Sequence, residues 1–127
     1  MGVPKDFFYS KSHEWVSLNE GVATVGITDF AQSQLSDLTF VELPAVGTTF
    51  AAGDEAAVVE SVKAAADVYA PVAGEVIEVN EVLEDAPETI NSDAFEAGWL
   101  FKLKVVDEAD VDSLMDADSY EEICPQL

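Results

Sequence analysis

Between Gly53 and Pro71 the chain runs Asp54-Glu55-Ala56-Ala57-Val58-Val59-Glu60-Ser61-Val62-Lys63-Ala64-Ala65-Ala66-Asp67-Val68-Tyr69-Ala70. These residues admit two structures. Six alanines, an aspartate at the start and a proline just beyond the end predict a helix. In that helix Lys63 pairs with Glu60 three positions before it and Asp67 four after it, on a solvated face. The other structure is a hairpin, with strands over 57–62 and 67–70 and Lys63 at the tip. Gly53 lies ten residues before Lys63 and Gly74 eleven after, so turn residues bracket the lysine almost symmetrically. The tip itself lacks Gly, Asn and Pro, which counts against a hairpin. Lys63 is also the only cation between Lys11 and Lys102, so a modifying enzyme meets one isolated amine.

Outward from this stretch the chain reads as short strands and turns. Residues 75–80 form a strand after Pro71 and Gly74, and residues 38–43 form another, stopped by Pro44. Residues 15–18 and 22–27 flank Asn19-Glu20-Gly21, which predicts a hairpin over 15–27. Thr28 or Asp29 caps a short helix, with Gln32 three residues after Asp29 and with Phe30, Ala31 and Leu35 as its apolar face. Gly47 and Gly53 mark turns, and residues 81–98, holding Pro87 and Gly98, read as a loop. Over 100–105, Phe101, Leu103 and Val105 alternate with Lys102 and Lys104, as in a strand with one buried face. From Asp107, a candidate cap, Val111, Leu114, Met115, Tyr120 and Ile123 recur at helical spacing among acids.

The 127 residues fit one domain, and 49% of them are hydrophobic, enough for one core. Charge is the unusual feature: 26 acidic residues face five lysines and no arginine, a net charge of −21. Phosphate binding needs clustered Lys or Arg, so a nucleic-acid partner is excluded, as is docking on an anionic membrane face. The charge suits basic partner surfaces and a monomer. A single cysteine, Cys124, excludes an internal disulfide, and with a single histidine, His13, it removes the usual zinc sites. There is no membrane-spanning apolar run and no signal peptide at the start. The expected compartment is therefore the cytoplasm of a bacterial or archaeal cell, or the mitochondrial matrix for a processed eukaryotic form. His13 has no arranged nucleophile and reads as a strand residue packing by Trp15. Trp15, Tyr69, Trp99 and Phe101 read as core or core-edge aromatics. The eight acids of 107–122 lack calcium-loop spacing and read as a solvated helix face.

Six short strings then fall into one order. Glu60-Ser61-Val62-Lys63-Ala64, followed by Asp67-Val68-Tyr69-Ala70-Pro71-Val72-Ala73-Gly74-Glu75-Val76, resembles the lipoyl-attachment segment of the glycine cleavage system H protein family. Ser12-His13-Glu14-Trp15-Val16 resembles the family's N-terminal strand, and Ala23-Thr24-Val25-Gly26-Ile27-Thr28-Asp29 its next strand and helix start. Phe40-Val41-Glu42-Leu43-Pro44, Glu78-Val79-Asn80-Glu81 and Gly98-Trp99-Leu100 are similar too, so the resemblance runs from about Tyr9 to Ile123.

The resemblance implies a mainly β fold: a barrel-sandwich hybrid, lipoyl/biotinyl-domain-like, of two small antiparallel sheets with a short internal helix and C-terminal helices. The modified lysine sits at a hairpin tip, which overrules the helix over 54–70. One lipoyl-carrier domain is expected over 1–127, with the sandwich over 1–106 and an acidic helical extension over 107–127. The implied cofactor is lipoate, amide-linked to Lys63. The implied role is a shuttle that accepts an aminomethyl group from the pyridoxal-phosphate glycine decarboxylase (P protein). It delivers that group to the tetrahydrofolate-dependent aminomethyltransferase (T protein). Dihydrolipoyl dehydrogenase (L protein, with FAD and NAD) reoxidises it. The chain is then a carrier and not an enzyme. A lipoate ligase or octanoyltransferase attaches the arm and reads Glu60. In this family the loaded arm lies back against the domain, and the implied cleft residues are Glu14, a carboxylate for the cargo's ammonium, with Ser12 and Asp67 nearby.

Three other readings compete. The same fold can serve as a lipoyl relay that donates lipoyl groups to other domains or serves another pathway. A biotin carrier usually has methionine on both sides of the lysine, where this chain has Val62 and Ala64. A stand-alone enzyme lacks support from any metal, phosphate-loop or nucleophile–base motif. The chain also departs from the family at Ser36, where glycine is usual, at Ala66 and Ala73, where serine is common, and at Asp93-Ala94-Phe95.

Overall fold

The computed structural model describes residues 5–35, 37–62, 64–106 and 109–123. Ser36, Lys63, Asp107 and Cys124, all named above, lie outside the described residues. The elements in order are β1 (Phe8–Tyr9), β2 (Glu14–Asn19), β3 (Val22–Ile27), α1 (Asp29–Leu35), β4 (Leu38–Glu42), β5 (Thr49–Phe50) and β6 (Glu55–Ser61), then β7 (Ala65–Tyr69), β8 (Gly74–Val79), α2 (Val82–Asp85), α3 (Thr89–Ser92), β9 (Phe101–Val105), α4 (Ala109–Asp112) and α5 (Ala117–Ile123). They form a six-stranded sheet, β1-β2-β3-β9-β8-β5, and a three-stranded sheet, β4-β6-β7. Among the described residues each pairing is antiparallel, and neither sheet closes into a barrel. One core fills the space between them: Val16, Val25, Val76, Phe101 and Leu103 from the large sheet meet Leu38, Val41, Val59 and Val68 from the small one.

Residues 54–70 are a hairpin, with Ala57 opposite Val68 and Glu60 opposite Ala65. Burial decides this against alanine propensity. Val59 and Val68 are both 1% exposed. They are nine residues apart, which on a helix of 3.6 residues per turn places them on opposite sides. Only the hairpin puts both in one core. The predicted 15–27 hairpin also forms, and its turn residues Glu20 and Gly21 have φ of 53° and 81°. Positive φ at both central residues marks the primed turn that matches strand twist. In β9, Phe101 and Leu103 are buried while Lys102 and Lys104 point away, as the alternation requires.

Several expectations are corrected. Residues 81–98 are not a plain loop but hold the single-turn helices α2 and α3, pinned by the fully buried Leu83 and Ile90 and separated at Pro87. Turns this short leave no 3.6-residue period to detect. In α1, Thr28 is the cap, since Ala31 N–H donates to Thr28 Oγ1 at 3.2 Å. Asp29 instead accepts from Gln32 Nε2 at 2.8 Å. The apolar residues of α1 do not share one partner: Ala31 and Leu35 pack on the main core, and Phe30 on a second cluster around Tyr9, Trp15, Ala117 and Tyr120. The tail forms helices as expected, and Met115 between α4 and α5 pairs with Tyr9 through reciprocal backbone bonds of 2.8 Å. Its acidic face is not wholly solvated: Asp110 Oδ2 accepts from Ala73 N–H at 3.1 Å. His13 is not a strand residue. Its φ is 72°, and its ring packs on Phe30 and Tyr120, while Trp15 packs with Phe7 and Phe95.

Candidate functional site

The β6–β7 connection runs through Val62 and Lys63, between residues that bond to each other. Ser61 N–H donates to Ala64 O at 2.8 Å. The Ser61 hydroxyl lies 3.2 Å from both Ala64 N, which donates to it, and Ala64 O. A serine side chain thus stands where a backbone carbonyl would close the turn. Among the described residues only His13 and Glu20 are non-glycines with positive φ, so Val62 is not in a primed turn. Val62 therefore needs no Gly or Asn at its position. Val62 is 82% exposed. Glu60 lies at the end of β6, half-buried, between Ala65 on one side and Phe40 on the other, and its carbonyl accepts from Thr39 Oγ1 at 3.3 Å.

Glu14 opens β2 and is 1% exposed. Its Oε1 accepts from the hydroxyls of Ser10 at 2.5 Å and Ser12 at 2.6 Å. Its Oε2 accepts from Tyr69 N–H at 3.3 Å. Tyr69 ends β7, so this carboxylate joins the large sheet to the lysine hairpin. A carboxylate has about four acceptor positions. Donors among the described residues take three of these, two on Oε1 and one on Oε2. No lysine among the described residues forms an ion pair with Glu14. Burying a charge without a counter-ion is costly, so such a site is suited to receive a cation.

Of the residues singled out from sequence, Glu14 and Ser12 are therefore brought together. Asp67 is exposed on β7 opposite Val58, and makes no hydrogen bond to Glu14 among the described residues. It edges a different groove, of about 280 Å³, with Glu42, Pro44, Phe50 and Glu55. Sequence reasoning missed Ser10, Ser61 and the Tyr69 amide. Ser10-Lys11-Ser12-His13-Glu14 carried a signal, hydroxyls two and four residues before the acid, but only a tight turn makes both reach it. A backbone N–H carries no residue-type signal.

The family model for the glycine cleavage H-protein matches residues 7–126. The chain is 56% identical to a glycine cleavage system H protein of Alcanivorax borkumensis, over 94% of this chain and 93% of that one. It is 60% identical to one of Laribacter hongkongensis, over 94% of both chains. The crystal structure of a glycine cleavage system H protein from Mycobacterium marinum superposes with a TM-score of 0.89 at 38% identity, covering 95% of this chain and 98% of that one. Sheet order, lysine hairpin and buried carboxylate all fall within the matched residues, and the chain belongs to the glycine cleavage H-protein family.

Proposed function

We propose that the chain is the lipoyl-carrying shuttle of a glycine cleavage system, with lipoate in amide linkage to Lys63 and the aminomethyl group as cargo. The observation that carries this is the family match over residues 7–126, which includes a hairpin closed on both sides of Lys63. The bound lipoyl group supplies the dithiolane sulfur that holds the cargo. The chain's own residues do the rest. Ser61 closes the turn that presents the lysine to a lipoate ligase or octanoyltransferase, and Glu60 beside it is what that enzyme reads. Glu14, held by Ser10, Ser12 and Tyr69 N–H, offers a lone pair to the ammonium of the cargo and keeps it from water. Asp67, four residues after Lys63 on β7, flanks the arm near its root.

Catalysis belongs to partners: glycine decarboxylase loads the arm, aminomethyltransferase unloads it, and dihydrolipoyl dehydrogenase reoxidises it. The carrier contributes effective concentration and positioning. A net charge of −21 favours partner surfaces that are basic. The bacterial relatives support a cytoplasmic location. The test is glycine–bicarbonate exchange with purified glycine decarboxylase. Lipoylated protein is expected to support exchange, and Lys63→Arg to give none. A lipoylated chain that fails in exchange yet donates lipoyl groups to other domains is a relay instead. In the same system Glu14→Ala is expected to shorten the lifetime of the loaded arm without reducing lipoylation; an unchanged lifetime removes Glu14 from the mechanism.

A further inference from the structure

We propose that Tyr120, acting through His13, is the positioning residue that holds Glu14 in place for the arm. The inference rests on the role given to Glu14 above and adds a distant part of the chain to the site.

Two of the three donors on Glu14 come from Ser10 and Ser12, which share one turn with it. In an extended strand, residues 10 and 14 are about 13 Å apart. Here the Ser10 hydroxyl is 2.5 Å from Glu14 Oε1 and also accepts from Glu14 N–H at 3.0 Å. The turn that achieves this is closed by Ser10 N–H to Glu14 O at 2.9 Å and His13 N–H to Ser10 O at 3.1 Å. It requires His13 at φ 72°, a left-handed conformation that a non-glycine residue keeps only where its surroundings enforce it.

The enforcing group is Tyr120 on α5. Its side chain is fully buried. Its hydroxyl is hydrogen-bonded to His13 Nδ1 at 2.8 Å and to Thr28 Oγ1 at 2.6 Å. Its ring stacks on Tyr9, the residue before Ser10, with centroids 4.7 Å apart and planes at 16°. Thr28 N–H donates to His13 O at 2.9 Å, which ties the same turn to the start of α1. One buried tyrosine therefore grips both ends of the segment 9–13. Burial holds the His13 ring below its usual value against the pull of Glu14, and pushes the Tyr9 hydroxyl up.

The test uses Tyr120→Phe, which keeps the ring stack and removes the hydroxyl. In unmodified, 15N-labelled protein, Tyr120→Phe is expected to move the Tyr69 amide resonance as Glu14→Gln does. Ile90→Val, a core truncation outside this cluster, is expected to leave that resonance in place. In the lipoylated protein loaded by glycine decarboxylase, Tyr120→Phe and His13→Ala are expected to shorten the lifetime of the loaded arm about fivefold, the worth of one hydrogen bond. His13→Asn tolerates the left-handed backbone and keeps a polar atom near Nδ1, and is expected to restore most of the loss. An unmoved Tyr69 resonance, or unchanged lifetimes while Glu14→Gln shortens them, overturns the proposal. If Glu14→Gln leaves the lifetime unchanged, the role of Glu14 itself fails, and the Tyr69 resonance still decides whether Tyr120 positions it.

Discussion

The connection between β6 and β7 is closed from within: Ser61 bonds Ala64 three residues away, and Val59 and Val68 anchor the two strands in the core. The turn from Ser10 to Glu14 has local bonds too, Ser10 N–H to Glu14 O and His13 N–H to Ser10 O, but it is also held from far along the chain, by Tyr69, Thr28 and Tyr120. Val62 in the first region is 82% exposed, whereas Glu14, which ends the second, is 1% exposed. Each arrangement suits its task. A lysine that enzymes must reach needs a self-supporting turn with little packed over it. A carboxylate that shelters cargo must be desolvated and held by groups that do not move when the arm leaves.

The contrast predicts where substitutions will be felt. Tyr120→Ala, which empties a fully buried aromatic site, is expected to destabilise the fold by about 3–5 kcal/mol in urea unfolding. Val62→Ala at the tip, 82% exposed, is expected to change stability by no more than about 0.5 kcal/mol. Equal losses at the two positions would erase the distinction. Next in size, Glu60→Ala and Ser61→Ala are each expected to slow lipoylation several-fold, while Ser61→Ala lowers stability by about 1 kcal/mol or less. Lipoylation time courses that overlay the unsubstituted protein would show that neither residue presents the lysine.

The smallest effect is in pH. Burial holds His13 below its ordinary value near 6.5, so the unfolded chain binds a proton there that the folded chain does not. Stability linked to His13 is therefore present above that value and is lost as pH falls below it. Comparison with His13→Asn cancels the contribution of the many carboxylates. The advantage of the unsubstituted protein over His13→Asn is expected to shrink between about pH 7 and about pH 5. A constant difference in urea midpoint would mean that His13 does not titrate differently in the folded state.

Local features were legible where one residue type can do only one thing. Asn19-Glu20-Gly21 before the β-branched run 22–27 predicts the 15–27 hairpin, because Asn and Gly suit a tight turn, and the fold has positive φ at Glu20 and Gly21. Lys102 and Lys104 gave the face of β9. The lysine hairpin was not legible from propensity, since alanines favour a helix and the tip holds no turn residue. The decisive facts, Val59 and Val68 in one core and a serine hydroxyl at the tip, appear only in the folded chain. The family motif carried that part of the reading. At the buried site, Glu14 and Ser12 were found through the motif, whereas Ser10 needed the turn, and Tyr120 lies 107 residues from His13. His13 was misread as a strand residue because a left-handed residue before a strand leaves the alternation of its neighbours intact.

The most direct test of the carrier reading is the intact mass of the protein after co-expression with a lipoate ligase in the presence of lipoate, with peptide mapping across residues 54–75. The account predicts one lipoyl increment, mapped to Lys63 and absent in Lys63→Ala. Well-folded protein with no increment, or with the increment on another lysine, would contradict it.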